Sequence, residues 1–154
     1  MQLSGFLDFD AIKPSLSAGN KRALLQQLAQ FAAARLGVDP GEVLSSVSER
    51  ERLGSTGFGH GVAIPHGKIE GLNRIYCLFV RLSEPVDYKS IDGQRVDLVF
   101  LLLSPPDAGA EHLKALAAVS RVTRHAPTLE KMRGARSRDA LAAVLLGADE
   151  RDAA

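Results

Sequence analysis

Apolar residues recur at helical spacing in the first third of the chain, merge into two nearly continuous runs in the middle, and return to helical spacing in the last third. Leu24, Leu28, Phe31, Ala32 and Arg35 fall on one stripe, with Leu25 and Leu36 beside it, which predicts a helix from about Asn20 to Leu36. Asn20 can cap its start and Gly37 its end. Asp39-Pro40-Gly41-Glu42 opens a second helix. Asp39 suits the N-cap, Pro40 the first helical position, and Glu42 the acidic place of a capping box. This helix is expected to end near Arg52-Leu53-Gly54.

The middle changes period. Val62-Ala63-Ile64 reads as a short strand, and Arg74 to Leu82, apolar, aromatic and β-branched, as a longer one. Pro85-Val86-Asp87-Tyr88 fits a short edge strand, where proline is tolerated. Ile91-Asp92-Gly93-Gln94 reads as a turn. Val96 to Leu103 is almost wholly apolar after Asp97, the signature of a central strand buried on both faces, and Ser104-Pro105-Pro106 stops it. A helix then runs from Glu111 to about Arg124, with Leu113, Leu116, Ala117 and Val122 expected on its apolar face. Shorter helices are predicted over Thr128–Arg133 and Ser137–Leu146, with Ser137 as a cap, and Asp149–Ala154 reads as a frayed tail. Helices on both sides of a strand-rich middle imply an α/β (α+β) fold, a sheet of about five strands covered by helices on two faces. No repeat or linker divides residues 1–154, so one domain is expected.

Composition narrows the function classes. A hydrophobic share of 45% and a charged share of 24% are those of an ordinary globular chain. A net charge of +1 gives no strong pull toward nucleic acid or a membrane surface. The single cysteine, Cys77, excludes an internal disulfide framework and a four-thiolate zinc site, and its apolar surroundings read as a buried small hydrophobe. The start lacks the basic cluster and apolar core of a signal peptide, and no apolar run approaches the ~20 residues of a membrane helix. A cytoplasmic protein is the expectation.

The candidate chemistry lies in Gly57-Phe58-Gly59-His60-Gly61-Val62-Ala63-Ile64-Pro65-His66-Gly67. Four glycines and a proline surrounding two histidines give up packing and chain entropy, which fits a place where backbone approaches a ligand or partner. His66 has two readings: a histidine satisfied at a strand end, or an imidazole projected from a fixed, uncrowded backbone with Gly67 leaving room beside it. The local residues favour the second. His112, in the first turn of a predicted helix, is either an exposed helix residue or a neutral imidazole beside an anion site. His60 has no fixed relation to His66, and His125 reads as a C-terminal helix residue favourable to the dipole. A metal site from His60, His66 and His112 is weakly signalled, because no His-x-x-x-His or Glu-x-x-His pair is present. Gly-x-Ser-x-Gly and a Walker loop are absent as well. A histidine can be a covalent nucleophile, and phosphoryl transfer to an imidazole asks mainly for positioning and charge stabilisation. Ser55, Thr56, backbone N–H groups, His112 and Arg50 or Arg52 are candidates to hold the phosphoryl oxygens.

The run from Arg50 to Lys68, Arg-Glu-Arg-Leu-Gly-Ser-Thr-Gly-Phe-Gly-His-Gly-Val-Ala-Ile-Pro-His-Gly-Lys, resembles the active-site segment of enzyme IIA domains of the fructose–mannitol class in the bacterial phosphoenolpyruvate phosphotransferase system. Leu-Gly-Ser-Thr-Gly and the stand-alone length resemble most closely the nitrogen-regulatory branch, and the likeness extends across nearly the whole chain. The resemblance implies a mixed sheet between helices. It makes His66 the phosphorylated residue, with His112 and Arg50 as its partners; Ser55, Thr56 and Gly67 are, from the local residues, the expected contributors to phosphoryl binding. The resemblance implies no metal or organic cofactor. The implied donor is a small carrier resembling HPr, called NPr in this branch, and the implied targets are proteins such as sensor kinases or potassium-transport regulators. Phe58, Val62 and Ile64 are expected to form an apolar rim for docking. Passing phosphate to a sugar-specific IIB domain, or acting as a pure protein-binding module, are the alternatives. The branch usually carries asparagine where this chain has His60.

Overall fold

The computed structural model describes the backbone of residues 1–153 and the side chains of residues 1–151. Two helices open the fold after an N-terminal segment of two 3-10 turns, Leu3–Gly5 and Phe9–Ala11, and a short strand, β1 (Lys13–Leu16). None of these three is marked by periodicity, since each is too short to show one. Helix α1 (Lys21–Leu36) begins where the Asn20 side chain accepts the Ala23 N–H at 2.8 Å. It ends at Gly37, whose φ of 70° is the left-handed closure a glycine provides without strain. Its buried face is Leu24, Leu25, Leu28, Ala29, Ala32 and Ala33. The expected stripe is therefore rotated: Phe31 is only half-buried and Arg35 is exposed, where it pairs with Asp8. Helix α2 (Pro40–Arg52) starts at Asp39, whose carboxylate accepts the Gly41 N–H at 3.2 Å, and buries Val43 and Val47.

Among the described residues, six strands form one mixed sheet. To β1 are added β2 (Gly57–Gly59), β3 (Val62–Ala63), β4 (His66–Lys68), β5 (Tyr76–Val86) and β6 (Val96–Ser104), in the order β1-β5-β6-β3-β2, with β4 also on β6. β5 and β6 are antiparallel, whereas β1 joins β5 and both β3 and β4 join β6 in parallel. The expected separate edge strand at Pro85–Tyr88 does not exist as such. β5 continues through Pro85 to Val86, and Tyr88 lies beyond it, fully buried. Proline is tolerated there because the pairing of β5 with β1 ends at Leu16–Leu82.

β6 divides the interior. Leu98, Phe100 and Leu102 enter one core with Phe79, Val62, Ile64 and the C-terminal helices; Val99, Leu101 and Leu103 enter the other with α1 and α2. The expectation of a central strand buried on both faces is met. Helix α3 (Gly109–Thr123) begins earlier than its expected start at Glu111, and its inner face is His112, Ala115, Ala118, Val119 and Val122. Leu113 and Ala117, expected inside, are exposed. The larger hydrophobe suggested the wrong face; small alanines instead let the helix lie close to the sheet.

Helices α4 (Ala126–Gly134) and α5 (Arg138–Ala153) complete that layer. His125 is not at a helix C-terminus: it is the N-cap of α4, its ring Nδ1 2.8 Å from the Thr128 hydroxyl. Ser137 caps α5 as expected, accepting the Ala140 N–H at 3.1 Å. The frayed tail is also corrected. α5 runs on to Ala153, and Asp149 is buried with its carboxylate accepting the Leu3 N–H at 3.0 Å and the Ser4 N–H at 2.5 Å. Ala154, the last residue of that expected tail, lies outside the described residues.

Candidate functional site

His66 stands on a strand rather than a loop. Val62 and Ala63 pair with Leu98 and Val99, and His66, Gly67 and Lys68 pair with Leu102, Leu103 and Ser104, so one offset holds from residue 62 to 68. Pro65 interrupts this track because it has no N–H, yet its carbonyl still accepts the Leu102 N–H at 2.9 Å. Alternation along the track puts Val62, Ile64 and His66 on one face. The first two are core residues under α3–α5, and His66 is the third of that row, beside α3. The short strand expected at Val62–Ile64 is therefore part of a longer path that carries the histidine.

The ring of His66 is fixed by its own backbone: Nδ1 lies 2.8 Å from the Ile64 carbonyl. A carbonyl only accepts, so Nδ1 carries the proton and Nε2 keeps its lone pair. Burial lowers the His66 pKa from its usual 6.5, against the Ile64 hydrogen bond that raises it, and the Arg50 charge adds to the lowering. The ring is thus neutral near pH 7. His112 lies alongside, its ring centroid 5.3 Å away at an interplanar angle of 52°. Both histidines are buried to more than nine-tenths. Burial, with the charges of His66 and Lys68, brings His112 down to about 4. Its Nδ1 is 2.5 Å from the hydroxyl of Ser104, which is wholly buried at the end of β6. Ser104 was not among the expected site residues. The alternation Leu98, Phe100, Leu102, Ser104 puts it on the α3 face, and that alternation was the signal available for it.

Arg50 and Arg52 separate. Arg50, near the end of α2, donates to the Gly54 carbonyl at 2.8 Å and acts on His66 through its charge. Arg52 is exposed and paired with Glu49. The hydroxyls of Ser55 and Thr56, expected to hold phosphoryl oxygens, are committed elsewhere. Ser55 Oγ accepts the Gly57 N–H at 3.1 Å and faces the Tyr88 carbonyl at 3.4 Å. Thr56 is fully buried, its hydroxyl bonded to Glu51 and 3.0 Å from the Tyr88 hydroxyl. Glu51 gathers this buried network, accepting also from Tyr88 at 2.9 Å and pairing with Lys21 at 2.8 Å. It ties α1, α2, the residue 56 region and Tyr88 together. No spacing in the sequence marks it.

Gly67 is needed for a different close approach from the one expected. A Cβ there would lie 2.4 Å from Ser46 Oγ and 3.1 Å from Ser46 Cβ. That hydroxyl also donates to the Lys68 carbonyl at 2.9 Å and accepts the Lys68 N–H at 3.1 Å, clamping α2 to β4. His60 is a backbone corner with φ 58°. Its N–H donates to Asp92 at 3.0 Å and its carbonyl accepts from Arg133 at 2.6 Å. Asparagine and histidine are among the residues that tolerate this left-handed conformation, so one can replace the other there. The expected apolar rim is corrected: Val62 and Ile64 are buried, and only Phe58 of the three is exposed. Large exposed apolar side chains follow two of the candidate site residues along the chain instead: Leu53 (86% exposed) comes three positions after Arg50, and Leu113 (67% exposed) directly after His112. Cys77 is buried, which pushes its thiol pKa up. Among the described residues no group of three or more His, Cys, Asp or Glu could hold a metal ion, and no helix is long and apolar enough to cross a membrane.

Comparison with known proteins gives the family. Residues 5–147 match the family described as phosphoenolpyruvate-dependent sugar phosphotransferase system, EIIA 2. The nitrogen regulatory protein of Bradyrhizobium diazoefficiens is 46% identical over 145 residues, covering 94% of this chain and 95% of that protein. The nitrogen regulatory protein of Escherichia coli is 34% identical over 146 residues, covering 94% of this chain and 90% of that protein. The crystal structure of nitrogen regulatory protein IIA-Ntr from Neisseria meningitidis superimposes with a TM-score of 0.87 at 31% identity, covering 93% of this chain and 98% of that one. The chain therefore belongs to the EIIA 2 family of the phosphoenolpyruvate-dependent phosphotransferase system and is similar over nearly its whole length to nitrogen regulatory proteins.

Proposed function

We propose that this chain is a phosphocarrier that takes a phosphoryl group on His66 Nε2 from a histidine-phosphorylated, HPr-like protein of the NPr type. The observation that carries the reading is the 2.8 Å bond between His66 Nδ1 and the Ile64 carbonyl, which leaves Nε2 as the bare nucleophile. Its lone pair attacks the phosphorus of the donor's phosphohistidine. The donor P–N bond breaks, its electron pair returns to the donor imidazole, and a P–Nε2 bond forms on His66. A neutral ring is required, and burial keeps it neutral. Arg50 and His112 offset the charge of the bound group. Leu53 and Leu113 provide the apolar contacts of docking, in place of the rim expected at Val62 and Ile64.

The output is regulatory: the new phosphate adds about two negative charges to the docking face and changes which partners it accepts. Similarity to proteins named nitrogen regulatory supports that output over sugar uptake. Sensor kinases and potassium-transport regulators are the classes of target to be tested. With phosphoenolpyruvate, enzyme I and the carrier supplied, the wild-type chain is expected to gain one phosphoryl group by mass, and His66→Ala none. Full labelling of His66→Ala would overturn the assignment.

A further inference from the structure

We propose that Ser104 is a positioning residue that holds His112 with its proton on Nε2, the tautomer opposite to that of His66, so that the pair presents one bare nitrogen and one N–H donor to the same phosphoryl group. This deepens the phosphocarrier reading and rests on it only for the identity of the group bound.

Ser104 Oγ is wholly buried, and among the described residues its hydrogen-bond partner is His112 Nδ1, at 2.5 Å. Two arrangements are possible. If Nδ1–H donated to Oγ, the hydroxyl proton would be left in the interior with no acceptor. If the hydroxyl donates to Nδ1, its proton is used and only spare oxygen lone pairs go unfilled, which buried groups tolerate better. A neutral imidazole has one proton to place, so with Nδ1 accepting, the proton resides on Nε2. At His66 the partner is a carbonyl, which cannot donate, and the outcome reverses. The fold thus sets the two rings, 5.3 Å apart, by two different second partners on the same sheet face. With both Nε2 atoms bare, a phosphoryl oxygen near His112 would meet a lone pair. With the opposite setting it meets an N–H.

Ring-nitrogen NMR of the full chain tests this without any phosphoryl donor. The wild-type spectrum is expected to show His112 with a protonated Nε2 and an acceptor-type Nδ1, and His66 with the reverse. A protonated Nδ1 on His112 in the wild type would overturn the proposal, and needs no variant to do so. In Ser104→Ala the His112 nitrogens are expected to move toward averaged values from mixed tautomers, leaving His66 as it was, and Ser104→Thr is expected to restore the wild-type pattern. An unchanged His112 pattern in Ser104→Ala would also overturn it. Phosphoryl acceptance by Ser104→Ala is expected to fall on the order of tenfold, the loss of one donor to a charged group, with rescue by Ser104→Thr. Opposite tautomers in a chain that His66 labelling shows never to be phosphorylated would retain this proposal while removing the phosphocarrier reading.

Discussion

Two histidines with lowered pKa values give the site a direction of pH dependence. Both titrate below the usual 6.5 because burial disfavours the charged ring, His112 reaching about 4. The unfolded chain binds protons from about pH 6.5 downward while the folded rings still refuse them, so folding stability falls as pH drops through that window toward 4. Ring-proton NMR titration is expected to give a midpoint below 6.5 for His66 and near 4 for His112. A midpoint of either ring above 6.5 would contradict the assignment of burial as the main cause. The fixed backbone at His66 was legible in the sequence, because glycines and a proline have few other reasons to crowd around a histidine. The commitments of Ser55 and Thr56 were not. A hydroxyl reads the same whether it faces solvent or a buried carboxylate, and Glu51 and Tyr88 come together only in the fold.

At the level of elements, the clamp between α2 and β4 fixes the backbone beside His66. Gly67→Ala places a methyl group against Ser46, whose hydroxyl is already bonded to both backbone groups of Lys68. Overpacking of this kind costs about 1–3 kcal/mol. Urea denaturation of Gly67→Ala is expected to show that loss, together with slower labelling of His66. Adding Ser46→Ala is expected to recover part of the packing cost. No recovery in the double variant would mean that the strain lies elsewhere. The long elements were legible because α1, α2, β5 and β6 have caps or apolar runs that a single sequence displays. α3 was found but turned the wrong way. Its buried face is made of alanines and His112, and the exposed Leu113 carried more apparent weight. The parallel track of residues 62–68 was read only in part, since register against β6 is a property of the pair and not of either segment.

On the whole molecule, the sheet separates two cores, and the site lies where β4, the end of β6, the end of α2 and the start of α3 converge. Leu53 and Leu113 belong to this scale because their use depends on a partner. Leu113→Asp is expected to leave the unfolding midpoint within about 0.5 kcal/mol of wild type, as an exposed position should. It is expected to raise the carrier concentration needed for half-maximal labelling by roughly tenfold. Unaltered labelling kinetics would exclude Leu113 from the docking face. The fold is closed at its other boundary by Asp149, which accepts two N–H groups of the Leu3–Gly5 turn. Asp149→Ala leaves both donors without that partner and is expected to cost about 1–3 kcal/mol in chemical denaturation, with labelling of the remaining folded protein unchanged. A variant as stable as wild type would mean that water replaces the carboxylate there.

The Asp149 contact has a consequence for how the fold can be connected. It brings the beginning of the first turn and the last turns of α5 into direct contact, although they lie 146 positions apart. The order of the chain around the sheet is then nearly a ring. A ring can be opened at an exposed turn such as Ile91–Gln94 and rejoined by a short splice between its two meeting points, or set whole into a loop of a host protein. Neither that cut nor that splice would fall within β4, β6, α2 or α3, the elements that carry the candidate site.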